Sequence, residues 1–382
     1  MRILHVIYDD VGNPWLGGGG ATRTQEIYGR IALLGHRVTV VCANYPGAAR
    51  SESRRGVTYR HIGLTTSYAL SRLSFMPGAA RLARAGGYDI VVEDVSPYSP
   101  VGVPLWAPKC VPAVASVQNL SGAHATGKYR LVGWGPRLVE RPLLSRFRYY
   151  VAVAPGIARQ LRHKLGGDIQ VRVVPNSVGD VFYSHSQASG SPGAPAPPYV
   201  LFLGRIDIYQ KGLDRLVPAF DLAAERIPGL KLVIAGGGVP SQEKKLSSLV
   251  AAARHRERVQ VLGSVDTNRA AELMKGALLL AMPSRYEAWP LTALEAGAAG
   301  VPVVGSDIAG VNDAAPPFPK AHGLPVPQAD VPAFADAFAR LADNPGLRAK
   351  MGERGRLWAR RFTWDALAEA QLEFYEQIVQ AR

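Results

Sequence analysis

The sequence predicts an α/β protein built from two Rossmann-like domains, and three observations carry that prediction. Short apolar runs of strand character recur along the chain, each ending in a glycine or a loop and leading into a helical pattern. This alternation marks βαβ units, whose parallel strands need crossover helices between them. Second, residues 184–198, SHSQASGSPGAPAPP, are too rich in Ser, Gly, Pro and Ala to build a core and read as a linker. Third, the 382 residues leave enough chain on each side of that linker for a core of its own. The expected division is a first domain at 1–183, the linker at 184–198, a second domain at 199–363 and a last helix at about 364–382.

In the first half, residues 2–9 (RILHVIYD) form an apolar strand, and 13–20 a Gly-rich loop. A helix is expected over 21–34, with Ile27, Ile31 and Leu34 on one stripe and Gly35 placed as its cap. Residues 37–43 (RVTVVCA) then supply the second strand. The four glycines at 17–20 lack the Gly-x-Gly-x-x-Gly spacing of a dinucleotide site. Without side chains, Gly19 and Gly20 still let backbone come close to a ligand. Further strands are expected at 89–93, 112–117 and 149–153. Ligands of parallel sheets gather beyond the carboxyl ends of strands, and those ends carry Glu93-Asp94 and Gln118-Asn119.

The second half opens with the strand YVLFLGR from Tyr199, and a helix follows over 213–226. Arg205 and Lys211 bracket that strand-to-helix junction, where two cations suit a diphosphate. Strands follow at 231–235, 259–262 and 277–282, and Gly263 closes the second of these. The stretch 283–305, PSRYEAWPLTALEAGAAGVPVVG, then carries the most chemistry. Its Ala-rich helix is expected to start near Pro290, since Pro suits a first turn. The N–H groups that the segment Trp289, Pro290, Leu291 and Thr292 offers outside its proline, with the helix dipole, would favour an anion there. Glu287 stands ahead of that site and Glu295 about one turn inside the helix. Helices at 331–342, 347–361 and 364–379 finish the chain.

Composition sets outer bounds. Apolar content of 47% and charged content of 19% fit a globular protein. Cys42 and Cys110 are the only cysteines, too few for a disulfide framework or a zinc cluster, which fits a reducing cytosol. No apolar run approaches the roughly 20 residues of a spanning helix, and a cytoplasmic protein is expected. The net charge of +14 is uneven, +12 over residues 1–185 and +2 over 186–382. Such an excess suits nucleic acid, an anionic membrane or an acidic substrate; it also arises in genomes of high G+C content.

Several segments together resemble retaining glycosyltransferases of family 4, which have the GT-B fold of two Rossmann-like domains facing a central cleft. They are the Glu-x7-Glu frame of Glu287 and Glu295, the Gly-Arg-x5-Lys-Gly-Leu frame of Arg205 and Lys211, Arg172–Ser177 (RVVPNS), and the Gly-rich loop after the first strand. The resemblance implies transfer of a sugar from a nucleoside-diphosphate sugar, UDP by default, with the anomeric configuration retained. It implies that Arg205 and Lys211 hold the diphosphate, that Glu295 accepts from the ribose hydroxyls, and that Glu287 faces the transferred sugar. Gly263 and Val265 would border the base, and Gly19 and Gly20 the donor phosphates. Glu93, Gln118 and Asn119 would lie on the acceptor side; the family usually has His where this chain has Gln118. The last helix would pack back on the first domain. No Asp-x-Asp triplet occurs, so neither a metal nor another cofactor is expected.

The acceptor is left open among a glycan, a lipid-linked glycan and a small metabolite. A nucleotide-sugar epimerase shares the two-domain plan, but the paired glutamates with Arg205 and Lys211 favour transfer. A phosphorylase would need a pyridoxal-phosphate lysine, and a nucleic-acid binder a recognition motif; neither is evident. Between Lys128 and Lys164 lie nine Lys or Arg against Glu140 alone, interleaved with Trp134, Leu138, Leu143, Leu144, Phe147 and Tyr149. That mixture suits either peripheral contact with an anionic membrane or an ordinary core with a basic rim.

Overall fold

The computed structural model describes the chain apart from residues 16–17, 97–98, 121–133, 184–196 and 382, and the side chains of 134–137. The expected linker up to residue 196 and the start of the basic stretch therefore lie outside the described residues. The chain forms two compact units, Met1–Asn176 with Thr363–Arg382, and Ser177–Phe362.

The first unit is an eight-stranded sheet in the order β3-β4-β2-β1-β5-β6-β7-β8. Its strands are β1 (Arg2–Val6), β2 (Arg37–Ala43), β3 (Ser51–Arg54), β4 (Val57–Ile62), β5 (Ile90–Asp94), β6 (Ala113–Val117), β7 (Tyr149–Ala152) and β8 (Gln170–Val173). All pairings are parallel except that of β3 with β4. The strand order reverses between β1 and β5, and that switch point is where a doubly wound sheet opens a crevice at its carboxyl edge. The helices are α1 (Gly19–Leu33), α2 (Tyr68–Ala85), α3 (Trp134–Leu144) and α4 (Pro155–Leu165). The β3–β4 hairpin and α2 were not expected from the sequence.

In the second unit six parallel strands run in the order β11-β10-β9-β12-β13-β14. They are β9 (Tyr199–Leu203), β10 (Lys231–Ala235), β11 (Val259–Gly263), β12 (Leu279–Met282), β13 (Val303–Ser306) and β14 (Gly323–Val326). The switch point falls between β9 and β12. Connecting helices are α5 (Leu213–Arg226), α6 (Pro240–Ala251), α7 (Thr267–Gly276), α8 (Leu291–Ala299), α9 (Ala309–Ala314), α10 (Val331–Ala342) and α11 (Pro345–Ala359). Helix α5 buries Leu213, Leu216, Val217, Phe220, Ala223 and Ala224 on one stripe and packs on α10, which supplies Phe334 and Phe338. Truncating a ring such as the fully buried Phe220 to Ala would cost about 3–5 kcal/mol, transfer and cavity together.

The last helix, α12 (Trp364–Gln380), is capped by Thr363 Oγ1 and lies against α1. Buried polar contacts hold it there. Arg23 donates to Gln371 Oε1 at 2.6 Å and to Asn176 Oδ1 at 3.0 Å, and the hydroxyls of Tyr28 and Tyr375 are 3.0 Å apart. Each of these groups is almost fully buried, so losing one leaves its partner unsatisfied.

Candidate active site

In the second unit the carboxyl ends of β9, β10 and β11 and the start of α8 enclose a pocket of about 280 Å³. Arg205, Gly236, Val265, Asp266, Thr292 and Glu295 are among its lining residues. Glycine shapes the wall. Gly236 has φ +142°, and a Cβ there would stand 1.8 Å from the Gly204 carbonyl oxygen. Backbone from β9 and β10 can meet so closely only because residue 236 is glycine. Gly263 turns the end of β11 with φ +69°, which brings Ser264 and Val265 to the pocket.

Helix α8 begins at Leu291, with Pro290 as its N-cap in extended conformation. Pro290 therefore stands before the first turn, not within it, and it has no N–H to offer an anion. The helix N-terminal N–H groups come from Leu291 and Thr292. The Trp289 side chain is 6% exposed and its ring packs edge-on against Phe362 at 5.2 Å. Its side chain belongs to the core under the loop.

Glu295 faces the pocket from inside α8. It is partly exposed there, yet the surrounding chain desolvates its carboxyl and raises the pKa from 4.5 to about 7. Arg205, exposed at the end of β9, reaches Gln210 Oε1 at 3.4 Å. Lys211 Nζ donates to Glu287 Oε1 at 2.7 Å, and Ser284 Oγ donates to the same oxygen at 2.8 Å. Glu287 is thus fixed by two donors, its side chain 8% exposed. Two further residues, Ser284 and Arg285, were missed in the sequence. Arg285 forms a bidentate pair with Asp214 at 2.7 and 2.8 Å and donates to the Tyr209 carbonyl at 2.6 Å, which steadies the loop carrying Lys211. The site thus divides into two neighbourhoods in one unit: Arg205, Thr292 and Glu295 in the pocket, and the Lys211–Glu287 pair.

In the first unit α1 starts at Gly19, two residues earlier than expected, behind the cap Gly18. The N–H of Gly18 is held by Asp9 Oδ2 at 3.0 Å. A Cβ on Gly20 would lie 3.8 Å from Asp94 Oδ2 and 4.0 Å from Gln118 Cγ, so these three share one corner. Burial raises the Asp94 carboxyl to about 7, against the pull of Arg23, and the Asp9 carboxyl to about 6. Asn119 is exposed beside them. Glu93 is a correction. It is 1% exposed, and its carboxylate accepts from the N–H groups of Val101, Gly102 and Val103 at 2.8–3.0 Å. Those bonds use it as a loop anchor, and Asp94 takes the place facing Gln118.

Comparison with known proteins agrees with this architecture. Residues 18–177 match the family described as glycosyl transferase 4-like domain, and residues 187–358 match glycosyl transferases group 1. The D-inositol 3-phosphate glycosyltransferase of Xylanimonas cellulosilytica is 34% identical over 187 residues, 48% of this chain and 43% of that one. The chain thus aligns with less than half of that relative's length. Sucrose-phosphate synthase from Thermosynechococcus elongatus superposes over 100% of both chains with a TM-score of 0.84 at 22% identity. HepE of Anabaena, solved in complex with UDP and glucose, does so over 99% of this chain and 100% of its own, with a TM-score of 0.76 at 16% identity. With one half matching each family and the fold shared throughout, the chain belongs to the glycosyltransferases of GT-B fold that join a 4-like first half to a group 1 second half.

Proposed function

We propose that the protein transfers a sugar from a UDP-sugar to an acceptor hydroxyl, with retention at the anomeric carbon and no divalent metal in the chemical step. The observation that carries this reading is the convergence of Arg205, Thr292 and Glu295 on one pocket at a sheet switch point. An anion gains there from a guanidinium and from helix N–H groups together. In this reading the diphosphate lies by Arg205 and the start of α8, and Glu295 accepts from the ribose hydroxyls. Lys211 turns from Glu287 toward the departing phosphate as charge develops, and such stabilisation acts on the transition state. Glu287, oriented by Ser284, faces the sugar and offsets positive charge at its anomeric carbon. HepE's complex with UDP and glucose supports the donor class.

On the acceptor side Asp94, Gln118 and Gly20 would receive the hydroxyl. The inositol phosphate in the relative's name favours a small phosphorylated polyol as acceptor. A lipid-borne acceptor is the second reading, favoured by Leu138 and Val139, which are 70% and 41% exposed beside Arg141 on α3. No described helix is long and apolar enough to cross a membrane. Assaying a panel of nucleotide sugars with inositol phosphates and with lipid-vesicle acceptors tests the proposal. Nucleoside diphosphate should be released only when a UDP-sugar meets an acceptor; no release from any pair would refute it.

A further inference from the structure

Three buried side chains of the first unit converge at the carboxyl ends of β1, β2 and β4, none of them among the residues assigned above. Cys42 and His61 are register partners on the parallel pair β2–β4, so both side chains leave the sheet on one face. Asp10 follows β1 and turns onto them. Cys42 Sγ lies 3.8 Å and His61 Nε2 3.6 Å from Asp10 Oδ2, and the three ligand atoms all fall within 4.8 Å of one another. Exposure is 2% for Asp10, 0% for Cys42 and 3% for His61.

The imidazole is set as a ligand. Its Nδ1 is 2.6 Å from the Ala49 carbonyl oxygen, so Nδ1 carries a proton and Nε2 is the nitrogen turned to the cluster. That buried Nε2 has no hydrogen-bond partner, although it is aimed into the cluster. A histidine tied through its other nitrogen to a carbonyl is the common arrangement at metal sites. Asp10 is held likewise: its Oδ1 accepts from Gly12 N at 2.8 Å and Tyr45 Oη at 3.1 Å, while Oδ2 faces Cys42 and His61 and also pairs with Arg54. Tetrahedral zinc with bonds of about 2.0–2.3 Å spaces its ligand atoms about 3.3–3.8 Å apart. The separations from Asp10 Oδ2, 3.6 and 3.8 Å, already have that size.

We propose that Asp10, Cys42 and His61 bind one Zn²⁺, with a water as fourth ligand, in a structural role that ties the loop leading into α1 to β2 and β4. A thiolate, an imidazole and a carboxylate select zinc over magnesium or calcium. Binding releases the Cys42 proton to solvent. It also displaces Arg54, whose Nη2 contacts Asp10 Oδ2; Glu52 Oε1, 3.4 Å from that same nitrogen, is placed to receive it.

The test uses the full chain, freed of metal by dialysis against chelator and titrated with Zn²⁺ and separately with Co²⁺. One equivalent should bind, the Co²⁺ form should show thiolate-to-metal charge-transfer absorption, and Zn²⁺ should raise the melting temperature. Cys42→Ser and His61→Gln should lose the stoichiometric uptake while UDP binding, which reports folding of the second unit, persists. Arg54→Ala should bind Zn²⁺ more tightly by removing the competing cation. Should either cysteine or histidine variant fail to fold, the charge-transfer band and stoichiometry of the unaltered chain decide alone. Uptake well below one equivalent, a Co²⁺ spectrum without that band, or uptake unchanged in both variants would overturn the proposal.

Discussion

Glu295→Gln separates the cost of the candidate site from its use. Burial holds the Glu295 carboxyl at about 7 against an ordinary 4.5. A carboxyl whose folded pKa is raised stabilises the fold below its unfolded value, and that stability is lost as pH rises from about 4.5 through about 7. That rise corresponds to about 3 kcal/mol; because the side chain is open to the pocket, about half of that is the working figure. The uncharged Gln variant escapes this penalty. It should melt about 3–6 °C higher than the parent at pH 8, with no difference below pH 4.5, since roughly 2–4 °C accompany each kcal/mol in a unit of this size. Nucleotide binding should move the other way. Loss of charge-assisted bonds to the ribose, about 1.5–3 kcal/mol, weakens UDP roughly tenfold to a hundredfold. In the parent, UDP affinity should fall as pH drops below about 7 and the carboxylate takes up its proton. Differential scanning calorimetry at pH 4.5 and 8 with calorimetric UDP titrations measures both. A variant no more stable at pH 8, or one that binds UDP as tightly as the parent, would refute the reasoning.

Other expectations follow from the same geometry. Glu287→Ala should abolish transfer yet leave UDP affinity unchanged or slightly tighter, because Lys211 is freed for phosphate; a fall in affinity equal to that of the Glu295 variant would contradict the division of roles. Arg205→Ala and Lys211→Ala should each lower turnover by at least about a hundredfold, if each supplies roughly 3 kcal/mol to the developing phosphate charge. Initial rates should be unaffected by EDTA added to the assay, and restoration of a lost rate by Mg²⁺ or Mn²⁺ would exclude the metal-free chemical step.

The sequence displayed the βα rhythm clearly, because buried parallel strands read as short apolar runs between glycines. The frames around Arg205, Lys211, Glu287 and Glu295 were equally legible, since strand, loop and helix place them by local rules. Long-range packing was not. Nothing near Trp289 announces Phe362 as the neighbour of its ring. Glu93 ends a strand as a binding acid would, but three N–H groups of a later loop claim its carboxylate. The edge hairpin β3–β4 escaped notice because SESRRGVTYRHI is polar and charged, with Arg55 at φ +51° in its turn. The pairing of Cys42 with His61 depends on β4 lying parallel to β2, so the cluster with Asp10 was invisible too.

The central claim is that the pocket between β9, β10, β11 and α8 holds the nucleoside diphosphate. Diffraction from crystals soaked in UDP tests it most directly. The account predicts density for the diphosphate beside Arg205 and the N–H groups of Leu291 and Thr292, with the ribose hydroxyls on Glu295. UDP bound elsewhere in the second unit, or a ribose turned away from Glu295, would contradict it.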